Sequence, residues 1–282
     1  MLLRILISLA VGLAAGTGSP GRAAAQMPDV PLFHRSFDQL LDVNVRDGLV
    51  YYRALKSERG RLDRYVASLN VPAATYDGWS REEKMAFWLN AYNAIVLQTV
   101  INHYPIRGKA GTYPASSIRQ IPGAFEQAKH RLVGRSLTLD DIEKTVLPQF
   151  KDPRLFLALG RGAISSGRLR SEAYLADRLE RQLAAVASEF VNHAPLFKID
   201  RLTGEVAVTP IISWREAEFV AAYDKGETGP FAKRSPIERA VINFVMPHLL
   251  PLERELVEKN EFKMVFQQFD WRLNDLSGGR AD

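Results

Sequence analysis

Hydrophobic positions along this chain recur mostly at helical spacing. Residues 32–45 read as a helix, closed by a turn at 46–48. A second helix is expected over 57–69, with Leu62, Tyr65, Val66 and Leu69 on one face. The longest periodic segment, 81–103, opens on Ser80 and Glu83 at capping-box spacing and is followed by Pro105. Its middle, 85–97, is apolar nearly all round, which predicts a helix at the centre of a domain. The Pro-, Gly- and Ser-rich stretch 105–122 predicts a long loop of the kind that is often functional or mobile.

Further on, 131–137 predicts a small hairpin, and Thr138 with Asp141 a capping box opening a short helix through 147. Residues 154–159 predict a brief buried strand. Leu175, Leu179, Leu183, Val186 and Phe190 predict a helix over 172–192. A strand at 206–208, helices at 214–222 and 237–246, a Gly/Pro loop at 224–236 and an extended segment at 262–273 complete the expectation. Strands that are few and irregularly spaced imply an α+β fold, a predominantly helical single domain with a small sheet around a central buried helix.

Composition sharpens this reading at one end of the chain. Arg4, the apolar stretch 5–16 and the small residues Ala23, Ala24 and Ala25 have the layout of a secretory signal peptide, too short in its apolar part to span a bilayer. Residues 26–282 are then expected as one exported domain, periplasmic or extracellular, with no membrane span after cleavage. Losing Arg4 and Arg22 lowers the formal charge from +5 to +3. That mild excess, not interleaved with aromatics along one element, argues against nucleic acid as a partner. With 0 cysteines, thiolate catalysis, thiolate metal ligands and a lipid anchor on cysteine are excluded. The 5 histidines are dispersed without ligand spacing, so neither a metal site nor a cofactor is expected.

Candidate chemistry concentrates at 160–170, where Gly160, Gly162 and Gly167 alternate with Arg161, Arg168 and Arg170 between a predicted strand and a predicted helix. Glycines let backbone N–H groups approach an anion, and arginine grips carboxylate or phosphate. The same pattern also describes a tight turn with solvated arginines. A nucleotide-binding loop does not fit, because Arg168 and Leu169 stand where lysine and a hydroxyl residue belong. Ser166 is the one candidate nucleophile, with Lys144 as its candidate base. Asn90 and Asn93, three residues apart on the central helix, either tie a loop to that helix or contact a ligand. Glu143 is placed to pair with an arginine of 161–170.

Taken in order, several segments resemble the domain of unknown function family 547. They are Gly48-Leu49-Val50-Tyr51-Tyr52, Phe87-Trp88-Leu89-Asn90-Ala91-Tyr92-Asn93, His103-Tyr104-Pro105, Leu137 to Glu143, Asp152-Pro153-Arg154 and Phe269 to Asp275. Many members have a histidine after the Ile-Glu pair, another after Pro-Arg-x, and Gly-Cys-Pro in the following loop. This chain has Lys144, Phe156 and Ser165-Ser166-Gly167 there. The resemblance implies the fold and a divergent member without the usual Cys and His positions; it lends no substrate. The expectation is therefore a domain that binds a polar or anionic ligand, or a partner protein, over Arg161, Arg168, Arg170, Asn90, Asn93 and Glu143. The alternative is a hydrolase or transferase using Ser166 in place of a family cysteine.

Overall fold

The computed structural model describes residues 33–277; the expected signal peptide lies outside them. Helices α1 (Arg35–Asn44), α2 (Tyr52–Ser57), α3 (Gly60–Ser68) and α4 (Ala73–Asp77) precede the long α5 (Arg81–His103). Short helices α6 (Leu139–Asp141) and α7 (Arg154–Leu157) follow. After them come α8 (Leu179–Val191), α9 (Pro210–Trp214), α10 (Glu216–Tyr223), α11 (Pro236–Val245) and α12 (Pro251–Lys259). Strands are short: β1 (Val45–Arg46) with β2 (Leu49–Val50), β3 (His130–Leu132) with β4 (Arg135–Leu137), and a three-stranded sheet β5-β6-β7. In that sheet β6 (Glu205–Val208) runs antiparallel to β5 (Phe197–Asp200) and parallel to β7 (Lys263–Phe266), with Val206 opposite both Ile199 and Met264. The fold is α+β, as expected, with its strands shared among three small sheets.

Helix α5 forms where its pattern says it should. Ser80 Oγ accepts the Glu83 N–H at 3.1 Å, and Glu83 Oε2 accepts the Ser80 N–H at 2.7 Å, which satisfies two donors the first turn leaves free. From Met85 to Ile101 nearly every side chain is buried. Helices α2 and α3 and the turns around 147–150 and 176–178 pack around it, and one continuous apolar core runs through the described residues.

Three expectations are corrected. Residues 154–157 are the helix α7, not a strand. The fully buried apolar run 155–159 has no periodicity to choose between the two; here Pro153 fits a helix start, and Asp152 Oδ1 accepts the Arg154 N–H at 3.1 Å. The helix expected from 172 begins only at Leu179, because backbone groups of 173–175 bond to side chains instead of to one another. The helix expected over 57–69 is α3 and begins at Gly60; Ser57 is the last residue of the preceding α2. Strand β5 and helix α12 were not anticipated.

After β7 the chain is a non-regular strap. Asn274 and Leu276 pair with Val50 through backbone hydrogen bonds of 2.9 and 3.0 Å. Tyr52 and Tyr104 donate their hydroxyls to Asn274 Oδ1 and Asp275 Oδ2, each at 2.7 Å. The strap thereby carries Trp271 across the molecule to the 160–166 loop.

Candidate functional site

The 160–170 segment leaves the C-terminus of α7, turns over 162–166 and continues as non-regular chain, so no helix N-terminus stands behind it. The strand-to-helix setting expected of an anion cradle is absent. What shapes the loop is the central helix. Asn93 Oδ1 accepts the Gly160 N–H at 2.8 Å, while its Nδ2 donates to Ala158 O at 3.3 Å. Asn90 makes the same double contact with Tyr174, donating to its carbonyl at 2.8 Å and accepting its N–H at 2.9 Å. Both amides are thus engaged on backbone. Gly167 is required sterically: a Cβ there would lie 1.7 Å from the Leu157 carbonyl oxygen.

Ser166 is buried, and its Oγ accepts the N–H groups of Arg161 and Ala163 at 3.0 and 3.3 Å. Neither Lys144 nor any histidine hydrogen-bonds to it among the described residues. Lys144 is 61% exposed and paired with Asp140. This geometry organises a loop and supplies no general base. Ser165 Oγ accepts the Asp270 N–H at 2.9 Å, joining the loop to the strap.

Arg161 turns inward. Its Nη2 and Nε donate to the two oxygens of Glu143 at 2.7 and 3.3 Å, and Nη1 to the carbonyls of Phe156 and Leu159. Tyr92 donates its hydroxyl to Glu143 Oε2 at 3.0 Å. Glu143 itself lies in a widened helical turn, 142–146, that follows α6. Burial pushes its carboxyl pKa up, but Arg161, Arg215 and Tyr92 outweigh that and hold it below the ordinary range. Burial, with the Glu143 charge beside it, pushes the Tyr92 hydroxyl well above its ordinary value.

Outward from this pair opens a cleft of about 540 Å³. Four cations, Arg119, Lys144, Arg161 and Arg215, and two carboxylates, Asp140 and Glu143, line it, a net charge of +2. Its aromatic walls are Tyr113, Phe125, Trp214 and Trp271. Arg119 sits between two rings, its Cζ 4.6 Å from the centre of Phe125 and 4.7 Å from that of Trp271. Arg215 lies over the ring of Phe156 at 4.6 Å, and its side chain is 11% exposed. It approaches Glu143 at 3.4 Å and Glu218 at 3.6 Å, yet donates no hydrogen bond to any described residue. The Nε atoms of Arg119 and Arg215 are both buried and without an acceptor.

The predicted site residues thus divide. Arg161, Glu143 and Lys144 meet at the cleft, and Phe156 and Ser166 lie directly behind it. Those are the places where the resemblance implied a histidine or the Gly-Cys-Pro loop. Arg168 and Arg170 lie in a different groove, paired with Asp47 at 2.6 Å and with Glu172 at 2.8 Å. Sequence reasoning missed Arg119, Trp214, Arg215 and Trp271. Of these, only Trp271 carried a signal, inside the Phe269 to Asp275 segment. Among the described residues no group of three or more His, Asp or Glu side chains is gathered as for a metal ion.

Fold and site together define an α+β domain with a cationic, aromatic-walled cleft against its central helix. Residues 76–191 match the family model described as "Protein of unknown function, DUF547". The segment contains Arg119, Glu143, Lys144, Arg161 and Ser166; Trp214, Arg215 and Trp271 lie beyond it. No curated protein and no solved structure gives a significant match to the chain.

Proposed function

We propose that the cleft is a binding site for a ligand carrying a carboxylate or phosphate. The observation that carries this reading is Arg215, a nearly buried guanidinium that donates no hydrogen bond to any described residue. One buried carboxylate, Glu143, stands between two guanidiniums, and Arg161 already takes both of its oxygens. Glu143 and Glu218 lie at 3.4 and 3.6 Å from Arg215 without hydrogen-bonding it, and its Nε has no acceptor; an incoming anion would supply the hydrogen bonds these donors lack. Arg119, whose Nη1 is paired with Glu126 and whose Nε has no acceptor, faces the same space. Both arginines are pre-oriented by the rings they lie against, which lowers the ordering cost of binding.

Titration calorimetry of the purified protein with inorganic phosphate and with acetate tests the reading. Saturable binding of at least one anion is expected, weakening with salt and lost in Arg215→Met. Unchanged binding in that variant sinks it. As part of the same reading, residues 1–25 are removed on export, and intact mass of the mature protein from its native host checks this.

A further inference from the structure

We propose that the ligand of this cleft is an acidic saccharide, a hexuronate ring whose carboxylate meets Arg215 and Arg119 while one C–H face packs on the tryptophans. This rests on the anion reading above and adds an independent observation, the aromatic shelf. Trp214 and Trp271 lie nearly parallel, 17° apart with centroids at 6.4 Å. Phe269 sits against both, at 5.1 and 4.3 Å. Trp214 is nonetheless 46% exposed. A large indole held in place by its neighbours but left half in solvent is a surface on which a ring stacks.

What kind of ring follows from the remaining wall. Asp140, Lys144 and Tyr113 present a carboxylate, an ammonium and a phenol to the same space. Asp140 and Lys144 are paired with each other, and a flat aromatic acid would cover that pair and the Tyr113 hydroxyl with carbon while offering them no hydrogen bond in place of water. A pyranose has apolar C–H faces and hydroxyls around its edge. Its face suits the shelf, its hydroxyls suit Asp140, Lys144 and Tyr113, and its carboxylate suits the two arginines. A volume of about 540 Å³ holds one or two such rings.

The test titrates the purified protein with glucuronate and galacturonate, with glucose, acetate and benzoate beside them. At least one hexuronate is expected to bind ten times or more tightly than acetate, and glucose far more weakly than either hexuronate. Trp214→Ala is expected to remove that tenfold gain and leave acetate unchanged; this ring is half exposed, so the variant folds. Arg215→Met is expected to lose both. Hexuronates binding no better than acetate, or a Trp214→Ala variant that keeps the gain, overturns the saccharide proposal while the anion reading stands. Benzoate exceeding both hexuronates overturns it in favour of an aromatic acid. If no anion binds at all, both readings fall.

Discussion

The cleft of Arg119, Arg161 and Arg215 and the groove of Arg168 and Arg170 use the same residue type in opposite surroundings. In the groove, two arginines face Asp42, Asp47, Glu172 and Glu189, a net charge of −2, in a space of about 300 Å³. Arg170 donates to Glu172 at 2.9 Å and to Glu189 at 3.1 Å; Arg168 donates to Asp47 at 2.6 Å. These guanidiniums already have their carboxylates. The residues lining the cleft carry a balance of +2; Arg119 is paired with Glu126 and Arg215 lies at 3.4 and 3.6 Å from Glu143 and Glu218, yet the Nε of each has no acceptor. Under the proposed reading an arginine marks an anion site where the fold leaves some of its donors unmet, and an arginine-rich run does not show which of its members are in that state.

The largest consequence concerns Glu143, which neutralises the buried side of the cleft. Glu143→Ala strands Arg161 in the interior and is expected to cost about 3–5 kcal/mol, read from denaturant unfolding. The pH dependence has a definite sign. A carboxyl held below its ordinary pKa in the fold contributes stability above its unfolded value of about 4.3. That contribution disappears as pH falls through the lower folded value. Glu143→Gln should flatten this acid limb, and Arg168→Ala should leave it intact. A limb unchanged in Glu143→Gln would show that the cleft pair is not its source.

Next in size is Ser166→Ala. Two buried N–H groups lose their acceptor, which is expected to cost about 1–3 kcal/mol. Phosphate or acetate binding should be kept if the serine organises the loop alone. A covalent adduct of wild-type protein with a serine-reactive phosphonate, absent in this variant, would restore the nucleophile reading.

Smaller again is Arg168→Ala. Its side chain is 37% exposed, and surface ion pairs contribute about 0–1 kcal/mol and are screened by salt. No change in anion binding is expected, and a loss would erase the distinction between cleft and groove. Arg215→Met should move stability least. Methionine keeps apolar contact with Phe156 and removes a buried charge, so unfolding should shift by less than about 1 kcal/mol in either direction, although anion binding disappears. A cost comparable to that of Glu143→Ala would mean that Arg215 serves the fold and not a ligand.

Much of the fold was legible because it is local. The capping boxes at Ser80 and Thr138, the apolar length of α5 and the hairpin at β3 and β4 all depend on residues within a few positions of one another. The 154–159 segment misled because five consecutive buried apolar residues, 155–159, carry no period. The site was legible in part. Glu143 was expected to pair with an arginine of 161–170, and its partner is Arg161, 18 residues away; Arg161 and Arg168 are 7 apart and were expected together, yet they face different spaces. The Asn93 tie to Ala158 and Gly160, and the Gly167 contact with Leu157, fix the loop's course between them.

By itself, then, the sequence determined the α+β class, the central helix and the chemistry available in 143–170, since these follow from side-chain type and short-range spacing. Tertiary structure decided which arginines keep an unmet donor and which rings stand beside them. Arg119, Arg161, Arg215 and Trp271 come from four distant segments, and the strap that delivers Trp271 is held by Val50, Tyr52 and Tyr104 from the other end of the described chain. The state of a buried charge depends on every group that surrounds it in space, and no local pattern of residues encodes that set.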